Sequence, residues 1–134
     1  MYKSEISIRV RYGETDQMGY VYYGNYAEYF EVARVEALRN LGLSYKVIEE
    51  DGVLLPVYSY SVKFFKPAYY DDMLTILTEI REIPLARITF HYKIYNEADV
   101  LLNEAETTLV FISRETGKPI AAPKEFIEKL KMFF

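Results

Sequence analysis

The stretch RYGETDQMGYVYYGNY, Arg11 to Tyr26, marks where the periodicity of the chain changes, and its reading decides the fold. Before it, Ile6, Ile8, Val10 and Tyr12 alternate with Glu5, Ser7, Arg9 and Arg11, as in a strand with one buried face. After it, from about Asn25 to Leu41, the residues Tyr26, Tyr29, Phe30, Ala33, Ala37 and Leu41 fall on one helical stripe, and Gly42 supplies a stop. Ala33 and Ala37 are small, so this helix can lie close against a sheet. Val32 and Val35 sit on the other side among Glu28, Glu31 and Arg39, which predicts burial by more than one layer. Gly13 and Gly19 bracket a turn that holds Glu14, Thr15 and Asp16.

Downstream, Ser44 to Glu50 reads as a short helix closed by Asp51-Gly52. Strands are expected over 57–66, ending at Pro67, and over 73–83, ending at Pro84. Ile88, Phe90, Tyr92 and Ile94 alternate with Arg87, Thr89, His91 and Lys93, and a last strand over 104–113 runs into the turn signal Glu115 to Pro119. Pro123 then opens an amphipathic helix over 124–133. Short connections between the four later strands favour an antiparallel meander, because parallel pairing needs long crossovers. With no repeat, linker or low-complexity segment, the expectation is one α+β domain over residues 1–134, its sheet covered by the long helix.

Composition excludes several kinds of chemistry. The 134 residues contain no cysteine, so disulfides, thiolate metal sites and Cys nucleophiles are out, and a single His rules out His-rich metal clusters. A net charge of −4 gives no electrostatic case for nucleic acid. The apolar runs are too short for a membrane span and the first residues lack a signal-peptide core, so a cytoplasmic protein is expected. Fourteen Tyr and eight Phe in a chain that is 51% apolar suggest aromatic surface at subunit contacts.

The order strand, acidic turn, helix brings Asp16 near a helix N-terminus, where free N–H groups and the positive end of the dipole collect. That pairing suits hydrolysis of an activated acyl group. Asn25 is placed to cap the helix, and Tyr26, Tyr29 and Phe30 are core residues that can also line a pocket. Glu14 reads as a solvated loop acid or a modulator of Asp16. Glu31 reads as solvated or paired with Arg34 at i+3, and His91 as facing solvent or an interface.

These segments resemble the hotdog-fold acyl-CoA thioesterases, the group typified by 4-hydroxybenzoyl-CoA thioesterase and the Tol-Pal-associated enzymes. The resemblance rests on Tyr12-Gly-Glu-Thr-Asp16, Gly19, Val21-Tyr22-Tyr23 and Gly24-Asn25-Tyr26. Phe64-Phe65-Lys66-Pro67-Ala68, Asp71-Asp72 and Gly117-Lys118-Pro119 fit it as well. It implies an antiparallel sheet wrapped around one long helix, with protomers paired edge to edge as dimers or tetramers and substrate at their junction. It makes Asp16 the catalytic carboxylate and the backbone N–H of Tyr23, helped by Gly24, the group that polarises the thioester carbonyl. Gly24, Asn25 and Tyr26 would then border the substrate, and Arg87, Arg114 and Lys118 are candidates for coenzyme A phosphates. Many Tol-Pal-associated members carry His where this chain has Tyr23, whereas the 4-hydroxybenzoyl-CoA type carries Tyr. No metal or cofactor is implied, and the substrate is an acyl group on coenzyme A or acyl carrier protein. A hotdog dehydratase would need a His beside the carboxylate, and His91 is far from the motif. A non-catalytic acyl-CoA binder remains the alternative.

Overall fold

The computed structural model describes residues 1–134. Strand β1 (Tyr2–Arg9) is followed by helix α1 (Tyr26–Asn40) and a short helix α2 (Tyr45–Glu50). Then come β2 (Val53–Leu54), β3 (Val57–Phe64), β4 (Met73–Ile80), β5 (Arg87–Tyr95), β6 (Leu101–Val110), β7 (Ile112–Ser113) and helix α3 (Lys124–Lys131). Five strands form one antiparallel sheet in the order β1-β4-β5-β6-β3, and β2 pairs with β7.

Period-2 alternation decides which face is inside. Ile88, Phe90, Tyr92 and Ile94 on β5 and Leu74, Ile76 and Ile80 on β4 are buried against α1, while the residues between them line the outer face. From α1, Tyr26, Tyr29, Phe30, Ala33, Ala37 and Leu38 close the core, with the Phe30 and Tyr92 ring centroids 4.7 Å apart. Each large side chain so buried contributes about 1.5–3 kcal/mol. Small Ala37 lets the helix approach β1 closely enough for the Tyr2 hydroxyl to donate to the Ala37 carbonyl at 2.6 Å.

Two expectations are corrected. The later strands are not a simple meander. β4, β5 and β6 are, but β3 sits at the far edge beside β6, and the connection Phe65 to Asp72 carries the chain back across to β4. The outer side of α1 has no second layer in the protomer, for Val32 is 45% exposed. For Glu31 the solvated reading holds: it is solvent-exposed, while Arg34 turns inward and is buried, its Nε donating to the Tyr45 hydroxyl at 3.3 Å. β3 is left as an open edge strand whose residues, Val62 excepted, are all exposed. No helix is long and apolar enough to cross a membrane.

Candidate active site

The acidic turn is built by its own backbone. β1 stops at Arg9, and Tyr12–Glu14 form a single 3-10 turn that leaves Tyr12 exposed rather than in the strand face. Asp16 and Tyr20 then close a tight loop: Asp16 N–H donates to the Tyr20 carbonyl (2.9 Å) and Gly19 N–H to the Asp16 carbonyl (3.0 Å). Gly19 holds φ at +86°, a region that favours glycine. Within this loop the Met18 N–H donates to Asp16 Oδ1 at 2.8 Å, which fixes the carboxylate. Its second oxygen takes part in no ion pair or hydrogen bond to the protein.

Glu14 is not a solvated acid. It is buried, its Oε1 accepts from the Arg11 N–H (2.7 Å) and the Tyr29 hydroxyl (2.9 Å), and its Oε2 accepts from Arg11 Nη2 (3.1 Å). Burial alone would raise its pKa, but the hydrogen bonds from Arg11 and Tyr29 and the Arg11 charge outweigh it and hold the carboxyl below the usual range. Burial and the Glu14 carboxylate in turn push the Tyr29 phenol well up. Asn25 does not cap the helix. It already has helical φ and ψ, and its Nδ2 donates 2.8 Å to the Glu14 carbonyl, tying the turn to the helix start.

A second 3-10 turn, Tyr23–Asn25, leads into α1. The bonds that close it use the N–H groups of Asn25 and Tyr26, while those of Tyr23 and Gly24, as the first residues of a helical segment, have no intrahelical acceptor. A Cβ on Gly24 would lie 2.7 Å from the Tyr22 ring, so glycine lets that ring fold over the helix start.

The crossing from β3 to β4 supplies the facing wall. Val21 N–H donates to the Ala68 carbonyl at 2.9 Å, and the Tyr26 hydroxyl accepts from the Ala68 N–H at 3.4 Å. Asp16, Met18, Tyr20, Val21, Tyr23 and Tyr26 thereby share with Phe64, Phe65, Lys66 and Pro67 an open groove of about 350 Å³. It is mainly apolar, with one carboxylate and one ammonium. The phenol of Tyr22 at its rim is raised, first by the neighbouring Tyr23 phenol and also by the Asp16 charge.

Of the residues singled out in the sequence, Asp16, Tyr23 and Tyr26 line this groove, and Gly24 and Asn25 adjoin it on the same turn. Arg87 does not. It stacks 4.2 Å above the Tyr58 ring and borders a larger depression, about 590 Å³, formed by the β4–β5 connection with Thr89 and His91. His91 is half-buried there, 3.6 Å from Glu106, and burial and Arg81 hold it below its ordinary pKa. No residue of a helix start lines that depression. The groove residues Phe64 to Pro67 could be tied to Asp16 only through the strand order, whereas Glu14 and Arg11 at i−3 were a local signal for a clamp.

The sequence pattern of the thioesterase-like superfamily matches residues 10–130. The acyl-CoA thioester hydrolase YbgC of Escherichia coli is 36% identical over 124 residues, covering 92% of each chain. The structure of a DHNA-CoA thioesterase from Staphylococcus aureus superposes with a TM-score of 0.94 at 34% identity, covering 99% of this chain and 91% of that one. A 1,4-dihydroxy-2-naphthoyl-CoA thioesterase from Synechocystis superposes at 0.89 with 26% identity, covering 96% of both. The fold is thus that of the hotdog thioester hydrolases. The chain belongs to the thioesterase-like superfamily.

Proposed function

We propose that this protein hydrolyses an acyl-CoA, or the same acyl group on acyl carrier protein, to the free acid and the thiol. One observation carries the reading: Asp16, with one oxygen anchored and the other unengaged, shares an apolar groove with Tyr23, the first residue of the 3-10 turn that leads into α1 and whose N–H has no backbone acceptor. The N–H groups of Tyr23 and Gly24 would hold the thioester oxygen as charge builds on it; losing one such donor costs about a hundred- to a thousandfold in rate. Asp16 either takes a proton from water as that water attacks the carbonyl carbon, or attacks it directly to give an anhydride that water then opens. In both routes the C–S bond breaks and thiolate leaves.

β3 supports assembly. An eight-residue edge strand exposing Tyr58, Tyr60 and Phe64 is a pairing template, and a second copy is the natural occupant in a dimer or tetramer. Tyr58 and Phe64 are six residues apart on β3, about 20 Å at strand rise. An antiparallel β3–β3 pairing centred near Ser61 would bring the Tyr58–Arg87 end of one protomer to the Phe64 groove of the other. Arg87 would then reach a coenzyme A phosphate from across the interface.

The test is thiol release from short, long and aromatic acyl-CoAs, with Asp16→Asn alongside. The expected result is turnover of at least one thioester that falls by about two to four orders of magnitude in the variant. Undiminished turnover in Asp16→Asn would remove Asp16 from the mechanism. Acyl-CoA binding without thiol release would make the protein a binder.

A further inference from the structure

Arg34 on α1 is the one buried cation of the protein, with 7% of its surface exposed, and it takes part in none of the ion pairs. Glu14, the one buried acid, has the Arg11 guanidinium 3.1 Å away. Arg34 carries a fork of N–H donors, and the hydrogen bond it makes is a long one, from Nε to the Tyr45 hydroxyl at 3.3 Å. The phenols around it, Tyr45, Tyr60 and Tyr92, supply no counter-charge, because burial raises the pKa of each and keeps it neutral. A buried charge is costly unless it is paired, and no carboxylate of this chain pairs with this one.

The guanidinium borders a cavity. Arg34 lines a space of about 210 Å³ between α1 and the β3–β6 pair, which shares no residue with the Asp16 groove. Ala27, Val57 and Tyr60 give it an apolar wall, and Thr107 adds a hydroxyl already shared with Tyr92. Glu28 and Glu31 complete the lining from solvent-exposed positions, so acid stands at the wet side of the cavity and the cation at the buried side. At about 30 Å³ per molecule the space equals about seven waters, enough for a short organic acid.

We propose that Arg34 anchors a second binding site, separate from the Asp16 groove, for a small monocarboxylate with a short apolar tail. A guanidinium fork matches a carboxylate with two parallel hydrogen bonds, and both are charge-assisted. The apolar wall then receives the tail, which chloride does not have. Glu28 and Glu31 select against phosphate and dicarboxylates, because like-charge repulsion grows with the charge of the ligand and a dianion meets twice that of a monoanion. The site asks nothing of the thioester chemistry, so it stands or falls independently of the role of Asp16.

The test is an NMR titration of the full chain with butyrate, butyramide, chloride and phosphate at matched ionic strength in a buffer free of carboxylates. Butyrate is expected to bind saturably and at least about tenfold more tightly than the other three, because hydrogen bonds to an ionised group are about twice as strong as neutral ones. Its methyl and methylene protons should show contacts to the Ala27 and Val57 methyls, and butyrate should raise Tm in step with occupancy. Arg34→Met keeps the aliphatic stem and removes the charge, so it should abolish the butyrate response with Tm in the butyrate-free buffer unchanged or raised. Glu31→Gln should leave butyrate binding intact or tighten it. Absence of saturable butyrate binding to wild type overturns the proposal, as does an equal response to butyramide or chloride. Contacts to Tyr26 and Phe64 in place of Ala27 and Val57 also overturn it, since the acid is then in the Asp16 groove. A lower Tm in Glu31→Gln overturns it too, because Glu31 is then the counter-ion of Arg34 in solution. Dissociation of an oligomer in Arg34→Met has the same force, for a carboxylate of a second copy would then hold the guanidinium.

Discussion

Replacing Glu14 by Gln probes the clamp that positions the Asp16 turn, and its effect follows from the hydrogen bonds. Oε1 accepts from the Arg11 N–H and the buried Tyr29 hydroxyl. Gln keeps an oxygen there but loses the charge. A hydrogen bond to a charged group contributes about 1.5–3 kcal/mol against about 0.5–1.5 for a neutral one, so two bonds lose about 2 kcal/mol together. The Arg11 guanidinium adds little, because its side chain is 78% exposed and surface pairs contribute below about 1 kcal/mol. For a domain of this size the expected fall in Tm at neutral pH is roughly 6–10 °C. Ala would cost more, since it leaves the Tyr29 hydroxyl buried without an acceptor.

The pH dependence has a definite sign. The folded-state pKa of Glu14 is lowered, so its contribution is fully present above the ordinary glutamate value, about 4.3, and is lost as pH falls through the lowered folded value. The Tm gap between wild type and Glu14→Gln should therefore be widest near neutrality and close with acidification below about pH 4. Asp16 lies two residues along the same turn, so kcat should drop by up to about a hundredfold with KM little changed, the scale of a small misplacement of a reacting group. Melts from pH 3 to 8 and steady-state thiol release provide both readouts. Equal melting at pH 7, or a gap that does not vary with pH, would refute the clamp.

Two further perturbations address the helix start and the open edge. Gly24→Ala should push the half-exposed Tyr22 ring off the helix start, leaving Tm within a few degrees but lowering turnover by roughly tenfold or more; unchanged kinetics would mean the ring and this residue are remote from substrate. Ser61→Lys in the middle of β3 should shift the sedimentation of the protein to that of a monomer and reduce turnover in step, whereas a fully active monomer would exclude a site completed by a second copy.

How much of this was legible depended on whether the signal was local. The inward rows of β4 and β5 and the Tyr26–Ala37 stripe of α1 are periodic, and each forms the element its period dictates. β6 begins at Leu101 rather than Glu104 because Leu102 and Asn103 are both buried, which breaks the alternation where the β5–β6 register shifts. The placement of β3 was hidden, since it turns on where residues 65–72 cross and not on any residue within β3. Arg34 could not be read as buried because its partners come from α2 and β5, far apart in sequence. Asn25 was recognised by type and misassigned by role: a cap and a latch use the same amide, and only the helical backbone at Asn25 decides between them.

The ties around the turn separate what holds Asp16 from what Asp16 does. Glu14 fastens the turn to α1 through Tyr29, Asn25 fastens it to the helix start, and Val21 fastens its return to the β3–β4 crossing through Ala68. Three elements thus fix the loop, and none of these bonds involves the Asp16 side chain. That side chain makes one hydrogen bond, from the Met18 N–H to Oδ1, and an Asn oxygen can accept it unchanged. Asp16→Asn should therefore melt within about 1 kcal/mol of wild type, the scale of a single neutral hydrogen bond. A variant equal in stability but without turnover would place the whole loss in the chemistry, because removing the charge is then the only change. A variant that melts far lower would instead make Asp16 part of the scaffold, and loss of activity would no longer identify a catalytic group.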